Sequence, residues 1–180
     1  MKSVLISIKP QWCELIASGK KTVEVRKTKP KLETPFKVYI YETQGRTETP
    51  FVDEEGHTIF KGRGQVIGEF VCDSIYPFHY DLSNGFYEPR EFLWGSRLSL
   101  EQLKDYVGGS IGYSWHITDL VIYDKPKALS EFKRCCDGNC QSCQYSIWQT
   151  SGLAYEPYIV DCKPITRPPQ SWFYIEEVEA

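Results

Sequence analysis

The sequence predicts an α+β fold, a small β-barrel with short flanking helices and a cysteine-bearing insertion, formed by one domain over residues 1–180. Most of its regular segments are short apolar or alternating runs, which is typical of strands. Only two segments have helical spacing, too few for a doubly wound sheet, in which helices alternate with strands. Aromatic residues make up 14% of the chain and favour strands or base-stacking surfaces.

The first elements are predicted from three patterns. Val4–Ile8 is a continuous apolar run and predicts a buried strand. Pro10 suits the first position of a helix, and Gly19 is a typical stop signal, so a helix of two to three turns is expected between them. Residues 22–27 then alternate between polar and apolar side chains, which predicts a half-buried strand.

The later elements follow from the same kinds of signal. Ser99 and Gln102 have the spacing of a capping box at a helix start. Glu69 is two residues from both Ile67 and Val71, so the three are expected on one face of a strand, which predicts a buried carboxylate. The predicted order is a strand at 36–41, a polar connection at 42–64, a strand at 65–72, an irregular loop at 76–95, a helix at 99–108, a long strand at 113–123 and a last strand at 172–175.

The charge distribution favours a local anion-binding face. The net charge of −3 argues against a globally basic nucleic-acid-binding protein. Residues 1–40, however, contain nine basic and three acidic residues, a balance of +6, while the rest of the chain contains twelve and twenty-one, a balance of −9. A basic N-terminal stretch on an acidic body can still attract an anionic ligand.

Neither a membrane span nor a signal peptide is predicted. No apolar run approaches the roughly 18 residues of a transmembrane helix. The apolar start of the chain meets Lys9 and Pro10 too early for the core of a signal peptide. We therefore expect a cytoplasmic protein without a membrane partner, in which the seven cysteines are reduced.

The segment Gly19–Arg26 is the strongest candidate for a functional centre. Lys21 lies between a helix end and a strand that carries Glu24. A desolvated lysine can act as a nucleophile or carry a proton, with Glu69 as the matching base. Alternatively, these charged residues form a solvated face, which is the usual role of a charge run.

Ile8–Trp12 followed by Gly19–Arg26 resembles the ASCH domain family. The family pattern places Gly, Lys, Glu and Arg at the spacing found in Gly19, Lys21, Glu24 and Arg26. Further similar segments are 68–71, 113–117 and 167–172, so that the resemblance covers about residues 3–125 and 165–177. It implies a barrel similar to that of the PUA domain.

The resemblance also implies a cleft beside this motif that binds RNA or a modified nucleoside. A cationic rim with tryptophans suits a phosphate and a stacked base, although Trp12 and Trp172 are equally suited to core packing. The implied ligand-binding residues are Ser7, Lys9, Trp12, Arg26, Gln170, Ser171 and Trp172.

An enzymatic alternative follows from the same resemblance. Some similar proteins are amidohydrolases that act on N4-acetylcytidine, and others are linked to cleavage of single-stranded RNA. The amidohydrolase pattern has a lysine, a threonine three residues later and a glutamate on a later strand. The candidate catalytic residues here are Lys21, Glu24 and Glu69, with Glu24 in place of the threonine.

The cysteine-bearing insertion, at about 133–163, is the second signal in the sequence. Cys140 and Cys143 have the two-residue spacing of a zinc knuckle, and Cys136 (or Cys135) and Cys162 could complete four ligands. Such a zinc ion would be structural and could support a protein-interaction module. Free thiols or redox pairing remain the alternative. No other cofactor is expected.

Overall fold

The computed structural model describes residues 2–52, 56–81, 85–87, 93–134 and 164–178. Cys136, Cys140, Cys143 and Cys162 lie outside these residues, so the zinc site stays a prediction that elemental analysis can test. The described elements are β1 (Lys2–Ile8), α1 (Pro10–Ala17), β2 (Val23–Arg26), β3 (Phe36–Glu42), β4 (Arg46–Val52), β5 (Thr58–Lys61), β6 (Val66–Cys72), β7 (Ile75–Asp81), β8 (Gly85–Tyr87), α2 (Leu100–Val107), β9 (Gly112–His116), β10 (Thr118–Lys127) and β11 (Trp172–Glu176).

The strands form three sheets. The largest has five strands in the order β10-β6-β3-β1-β11, and only its β1–β3 pair is parallel. The second has four strands in the order β2-β9-β7-β8, and β4 pairs with β5 in a separate ribbon. The mixed α+β class is thus confirmed. The strands of the described ranges do not close into a barrel, because each sheet has two strands with a single neighbour.

Two segments that were expected to be loops contain strands. The polar connection at 42–64 contains the ribbon of β4 and β5, and the aromatic stretch after Cys72 contains β7 and β8. The long strand predicted at 113–123 is interrupted at Ile117, and its halves β9 and β10 belong to different sheets. Asp119, just after the break, has a positive φ of 46°, which a straight strand does not permit.

The main core joins the two larger sheets and α1. Trp115 of β9 is fully buried and packs edge-on against Phe36 of β3, with ring centroids 5.9 Å apart. Side chains of β1, β3 and β6 complete this cluster from the facing sheet, and Cys13 and Ile16 contribute from α1. Burial of these apolar side chains holds α1 and β2 at one end of β1, where the candidate site lies.

A bulge in β6 changes the predicted orientation of Glu69. Tyr41 pairs with Val66 and Ile40 pairs with Gly68, so two steps along β6 match one step along β3. The alternation of faces is therefore reversed around Ile67. Ile67 packs in the main core, whereas Glu69 is paired with Tyr39, which belongs to a second cluster on the other face of the large sheet. The prediction that Ile67 and Glu69 share a face is wrong.

Candidate functional site

A cleft of about 230 Å³ opens between the end of β1, α1, β2 and the segment that leads into α2. We call it the Lys21 cleft, after its most buried charged residue. It is lined by Ser7, Ile8, Lys9, Trp12, Lys21, Glu24, Val25, Arg26, Leu98, Gln102 and Tyr106.

The turn between α1 and β2 brings Lys21 into the cleft. Gly19 adopts a positive φ of 70°, a left-handed conformation that favours glycine and commonly ends a helix. The chain then folds back, and the amide of Lys21 donates to the carbonyl of Leu15 over 2.7 Å. As a result the Lys21 residue is only 3% exposed, while its neighbour Lys20 stays at the surface.

The ammonium group of Lys21 lies among three different groups. It donates to the carbonyl of Ser96 over 2.7 Å and lies 3.4 Å from Oε2 of Glu24. It also lies 5.5 Å from the centroid of the Trp12 ring, within the range of a cation–π contact. Burial lowers the pKa of Lys21 from 10.5, and the negative charge of Glu24 opposes that shift only in part.

Glu24 links Lys21 to Arg26. Its Oε1 lies 3.1 Å from Nη2 of Arg26, which also donates to the carbonyl of Ser7 over 2.6 Å. Apart from the 3.4 Å ion pair between Oε2 and Lys21, Oε2 of Glu24 and Nε of Arg26 have no hydrogen-bond partner among the described residues, although both atoms are buried. Buried polar atoms are normally hydrogen-bonded, so this acceptor and this donor are suited to a polar ligand.

Helix α2 forms the wall opposite α1. Its Leu103 and Val107 pack against Val25 and Phe78 in a separate hydrophobic cluster, which fixes the helix against β2. Gln102 and Tyr106 then face the cleft together with Leu98. Burial raises the pKa of Tyr106, and the positive charge of Arg26 nearby opposes that shift.

Sequence reasoning missed this wall. Gln102 and Tyr106 are four residues apart and therefore share one helix face, adjacent to the apolar face of Leu103 and Val107. That spacing was the available signal. It predicts a face but does not predict which strand the face meets.

The loop before α2 is docked tightly onto the start of β2. The carbonyl of Gly95 accepts hydrogen bonds from the amides of Thr22 and Val23, over 2.9 and 3.1 Å. A Cβ atom at Gly95 would lie 2.5 Å from Oγ1 of Thr22, so a larger residue at this position would require Thr22 or the loop to shift. The docked loop presents the carbonyl of Ser96 to Lys21.

Six of the predicted site residues line the cleft, namely Ser7, Lys9, Trp12, Lys21, Glu24 and Arg26. Ser7 contributes mainly through its backbone carbonyl, since its hydroxyl donates to the carbonyl of Pro169 over 2.7 Å. Trp12 lines the cleft and also packs against the main core.

The segment 170–172 supports the cleft from outside. The carbonyl of Ser171 accepts from the amide of Ser7 over 2.9 Å. The indole of Trp172 donates to Oγ1 of Thr28 over 3.0 Å and lies 5.9 Å from the Trp115 ring. Gln170, Ser171 and Trp172 are not among the residues that line the cavity.

Glu69 lies away from the cleft, on the other face of the large sheet. It forms an ion pair of 3.1 Å with Lys37 and accepts a hydrogen bond from the hydroxyl of Tyr123. Lys37 also lies 3.3 Å from Glu177, so the cluster fastens the end of the described chain to the sheet. The expectation that Glu69 acts as the base that matches Lys21 is therefore corrected, and the bulge in β6 is the physical reason.

Two observations concern metal-ligand clusters and helix length in the described residues. Within the described ranges, no cluster of three His, Cys, Asp or Glu side chains is arranged to hold a metal ion. Helices α1 and α2 have eight residues each, and no described helix has the length and apolar character needed to cross a membrane.

Comparison with protein families gives a match to the ASCH domain over residues 6–174. No curated protein matches the chain. Among solved structures, the ASCH protein of Zymomonas mobilis aligns with a TM-score of 0.56 at 19% identity, covering 97% of this chain and 88% of that one.

Two point mutants of the Zymomonas mobilis protein give the same result. A Ser-to-Ala mutant aligns with a TM-score of 0.56 at 18% identity, covering 97% of this chain and 89% of its own. A Tyr-to-Phe mutant aligns with a TM-score of 0.55 at 19% identity, covering 98% and 92%. At these identities the likeness concerns the fold.

Proposed function

The chain belongs to the ASCH domain family, and from that premise we propose that the Lys21 cleft binds a nucleotide of RNA or a modified nucleoside. The observation that carries the proposal is the buried, linked set of Lys21, Glu24 and Arg26 beside the ring of Trp12. The three residues offset most of the free-energy cost of their own burial by pairing with one another. Oε2 of Glu24 and Nε of Arg26 can still form hydrogen bonds with a ligand.

Each lining group suits one part of a nucleotide. Basic side chains bind phosphate oxygens, and the face of an indole ring stacks on a base. A carboxylate accepts hydrogen bonds from an exocyclic amino group, as acidic side chains do with cytosine. The cavity of about 230 Å³ suits one small ligand unit and is too small for a base pair with its backbone.

The charge of the lining supports an anionic ligand. The lining contains three basic residues, Lys9, Lys21 and Arg26, and one acidic residue, Glu24. Its formal charge is therefore +2. The chain as a whole carries −3. Low-dielectric walls focus such a local potential toward the opening, so an anion is attracted to this part of the surface.

A panel of nucleosides, nucleoside monophosphates and short RNAs tests the proposal. Binding is measured by calorimetry, and incubated samples are analysed by mass spectrometry for any change of the ligand. Lys21→Ala removes the central cation, and Lys20→Ala removes an exposed cation one residue away. We expect Lys21→Ala to weaken binding at least tenfold, with Lys20→Ala close to wild type. Thermal melting checks that both variants are folded.

Unchanged binding in Lys21→Ala would reject the cleft as the ligand site. An equal loss of ligand affinity in Lys20→Ala would also contradict the proposal, because it would show that the net charge of the protein, and not the cleft, determines the affinity.

An amidohydrolase that acts on an acylated base amine is the second candidate, and the lowered pKa of Lys21 favours it. A buried lysine has a larger neutral fraction at neutral pH and can act as a base or nucleophile. Glu69 cannot assist from the other face of the sheet, so Glu24 would be its partner. Release of cytidine from N4-acetylcytidine by wild type, and not by Lys21→Ala, would support this activity. Cleavage of short RNA in the same panel would support a ribonuclease.

A further inference from the structure

The chain that follows β2 carries a row of lysines that begins beside the cleft. Lys27, Lys29 and Lys31 are all exposed and directly follow Arg26, which lines the cavity. We call these three residues the lysine strip. In the part of the chain that the structure describes, no carboxylate lies within ion-pair distance of any of the three.

The backbone of the strip is held in place by β11. Thr28 accepts a hydrogen bond from the indole of Trp172 over 3.0 Å, and Pro30 is buried. The amide of Lys31 donates to the hydroxyl of Tyr174 over 2.7 Å. The residues between the lysines are thus anchored to the body of the protein, and the lysines lie on its surface.

Aromatic rings order two of the three ammonium groups. That of Lys27 lies 5.2 Å from the ring centroid of Tyr106, and that of Lys29 lies 5.6 Å from that of Tyr113. Such cation–π contacts restrain a flexible side chain and leave its hydrogen-bond donors available. Because Tyr106 also lines the cleft, the strip is continuous with the cavity.

The spacing of the strip suits a nucleic-acid backbone. Lysines separated by one residue have Cα atoms at most about 7 Å apart. Successive phosphates of an extended single strand have a separation of the same order. A duplex does not fit, because the adjoining cleft accepts a base only when it is unpaired and turned away from its neighbours.

We infer that the ligand of the Lys21 cleft is one nucleotide within a single-stranded RNA, and that Lys27, Lys29 and Lys31 bind the phosphates on one side of it. This inference rests on the proposed function and narrows it from nucleosides in general to a polynucleotide. The cleft then selects one base, and the strip supplies affinity that does not depend on sequence.

The test compares two double variants of equal net charge. Lys29→Ala/Lys31→Ala removes two lysines of the strip and leaves Lys27 and Tyr106 in place. Lys61→Ala/Lys125→Ala removes two exposed lysines of β5 and β10. Both variants change the net charge from −3 to −5. The probes are a labelled single-stranded RNA of about twelve nucleotides, the same RNA as a duplex, and the mononucleoside that binds best in the panel.

Salt dependence provides the decisive measurement. Each phosphate contact contributes about 0.7 to the slope of log affinity against log salt for single strands. We expect the strip variant to lower that slope by about 1.4 and to weaken RNA binding, with mononucleoside binding unchanged. The Lys61→Ala/Lys125→Ala control should retain the wild-type slope.

Four outcomes would overturn the inference. They are equal slopes in the two double variants, an equal loss of mononucleoside and RNA binding in the strip variant, duplex binding as tight as single-strand binding, and a wild type that binds RNA no better than the mononucleoside. In the last case the proposed function would still stand. If wild type binds neither probe, the proposed function fails as well.

Discussion

The ammonium group of Lys21 donates a hydrogen bond of 2.7 Å to the backbone carbonyl of Ser96, 75 residues later in the chain. The contact joins the start of β2 to the loop that precedes α2. The loop is held there by the two hydrogen bonds that Gly95 accepts from Thr22 and Val23. The shape of the cleft therefore depends on how closely this loop approaches β2.

Gly95→Ala is expected to displace the loop. The added Cβ would lie 2.5 Å from Oγ1 of Thr22 and 3.0 Å from Cγ2 of Val23, so either these side chains or the loop must shift. We expect the free energy of unfolding to fall by about 1–3 kcal/mol, with weaker ligand binding because Ser96 no longer holds Lys21. Urea denaturation and calorimetry measure the two effects.

Gly45→Ala is the matched control, since nothing lies within 4 Å of its added Cβ. A Gly95→Ala protein as stable as Gly45→Ala, and with wild-type affinity, would contradict the role given to the loop.

Binding of an anionic ligand is expected to weaken as pH rises through the lowered pKa of Lys21. Burial lowers that pKa from 10.5, so the ammonium form is lost at a lower pH than for an exposed lysine. Affinity for a nucleoside monophosphate is measured as a function of pH up to 10.5. In Lys21→Arg the same transition should be absent, because the guanidinium stays charged throughout.

Protein stability should change with pH in the opposite direction over the same range. Below the folded pKa of Lys21, the buried ammonium lowers the stability. Between the folded pKa and the unfolded value, the unfolded chain binds more protons, so the contribution of Lys21 to the free energy of unfolding rises with pH. Comparison of denaturation curves for wild type and Lys21→Arg isolates this contribution, and identical slopes would refute it.

Glu24→Gln is expected to destabilise the protein strongly. The substitution keeps the shape of the side chain but leaves Lys21 and Arg26 as two buried cations without a counter-ion. Removal of one partner from a buried ion pair costs about 3–5 kcal/mol. Urea denaturation measures the loss, with Glu176→Gln at an exposed position of β11 as the control. A change of the same size in both variants would show that Glu24 does not stabilise the two cations.

Glu69→Gln is expected to leave ligand binding unchanged. Glu69 pairs with Lys37 on the face of the large sheet that does not meet the cleft. Both side chains are partly exposed, so the loss of the ion pair should reduce stability by less than about 1 kcal/mol. Calorimetry with the best ligand of the panel tests the prediction. If Glu69→Gln lost as much affinity as Lys21→Ala, Glu69 would have to be part of the ligand site.

Local patterns were sufficient to predict the centre of the site. Pro10, Gly19 and the alternation after Lys21 define a helix, a turn and a strand within a few residues of one another, and the structure contains all three. The charged residues of the motif lie close together in space because they belong to one short segment whose local structure is set by its own sequence.

Features that depend on distant pairing could not be predicted. The bulge at Ile67 depends on how β6 pairs with β3, and Gly68 within β6 is compatible with a bulge but does not by itself fix the register. Likewise, residues 113–123 were predicted as a single strand, but the two halves belong to different sheets. The packing of α2 against Val25 and Phe78 is also a tertiary contact, so Tyr106 could not be assigned to the cleft.

Two separate stretches of the chain contribute the charged floor of the cleft and the wall formed by α2. The charged floor (Lys21, Glu24 and Arg26) comes from β2 and the turn before it, whereas Leu98, Gln102 and Tyr106 come from a docked loop and a helix of eight residues. The side chains of Leu98 and Gln102 can therefore change while Ser96, Leu103 and Val107 keep the floor in place. A designer could therefore retune ligand choice at these two positions and leave the charge chemistry of the floor unchanged.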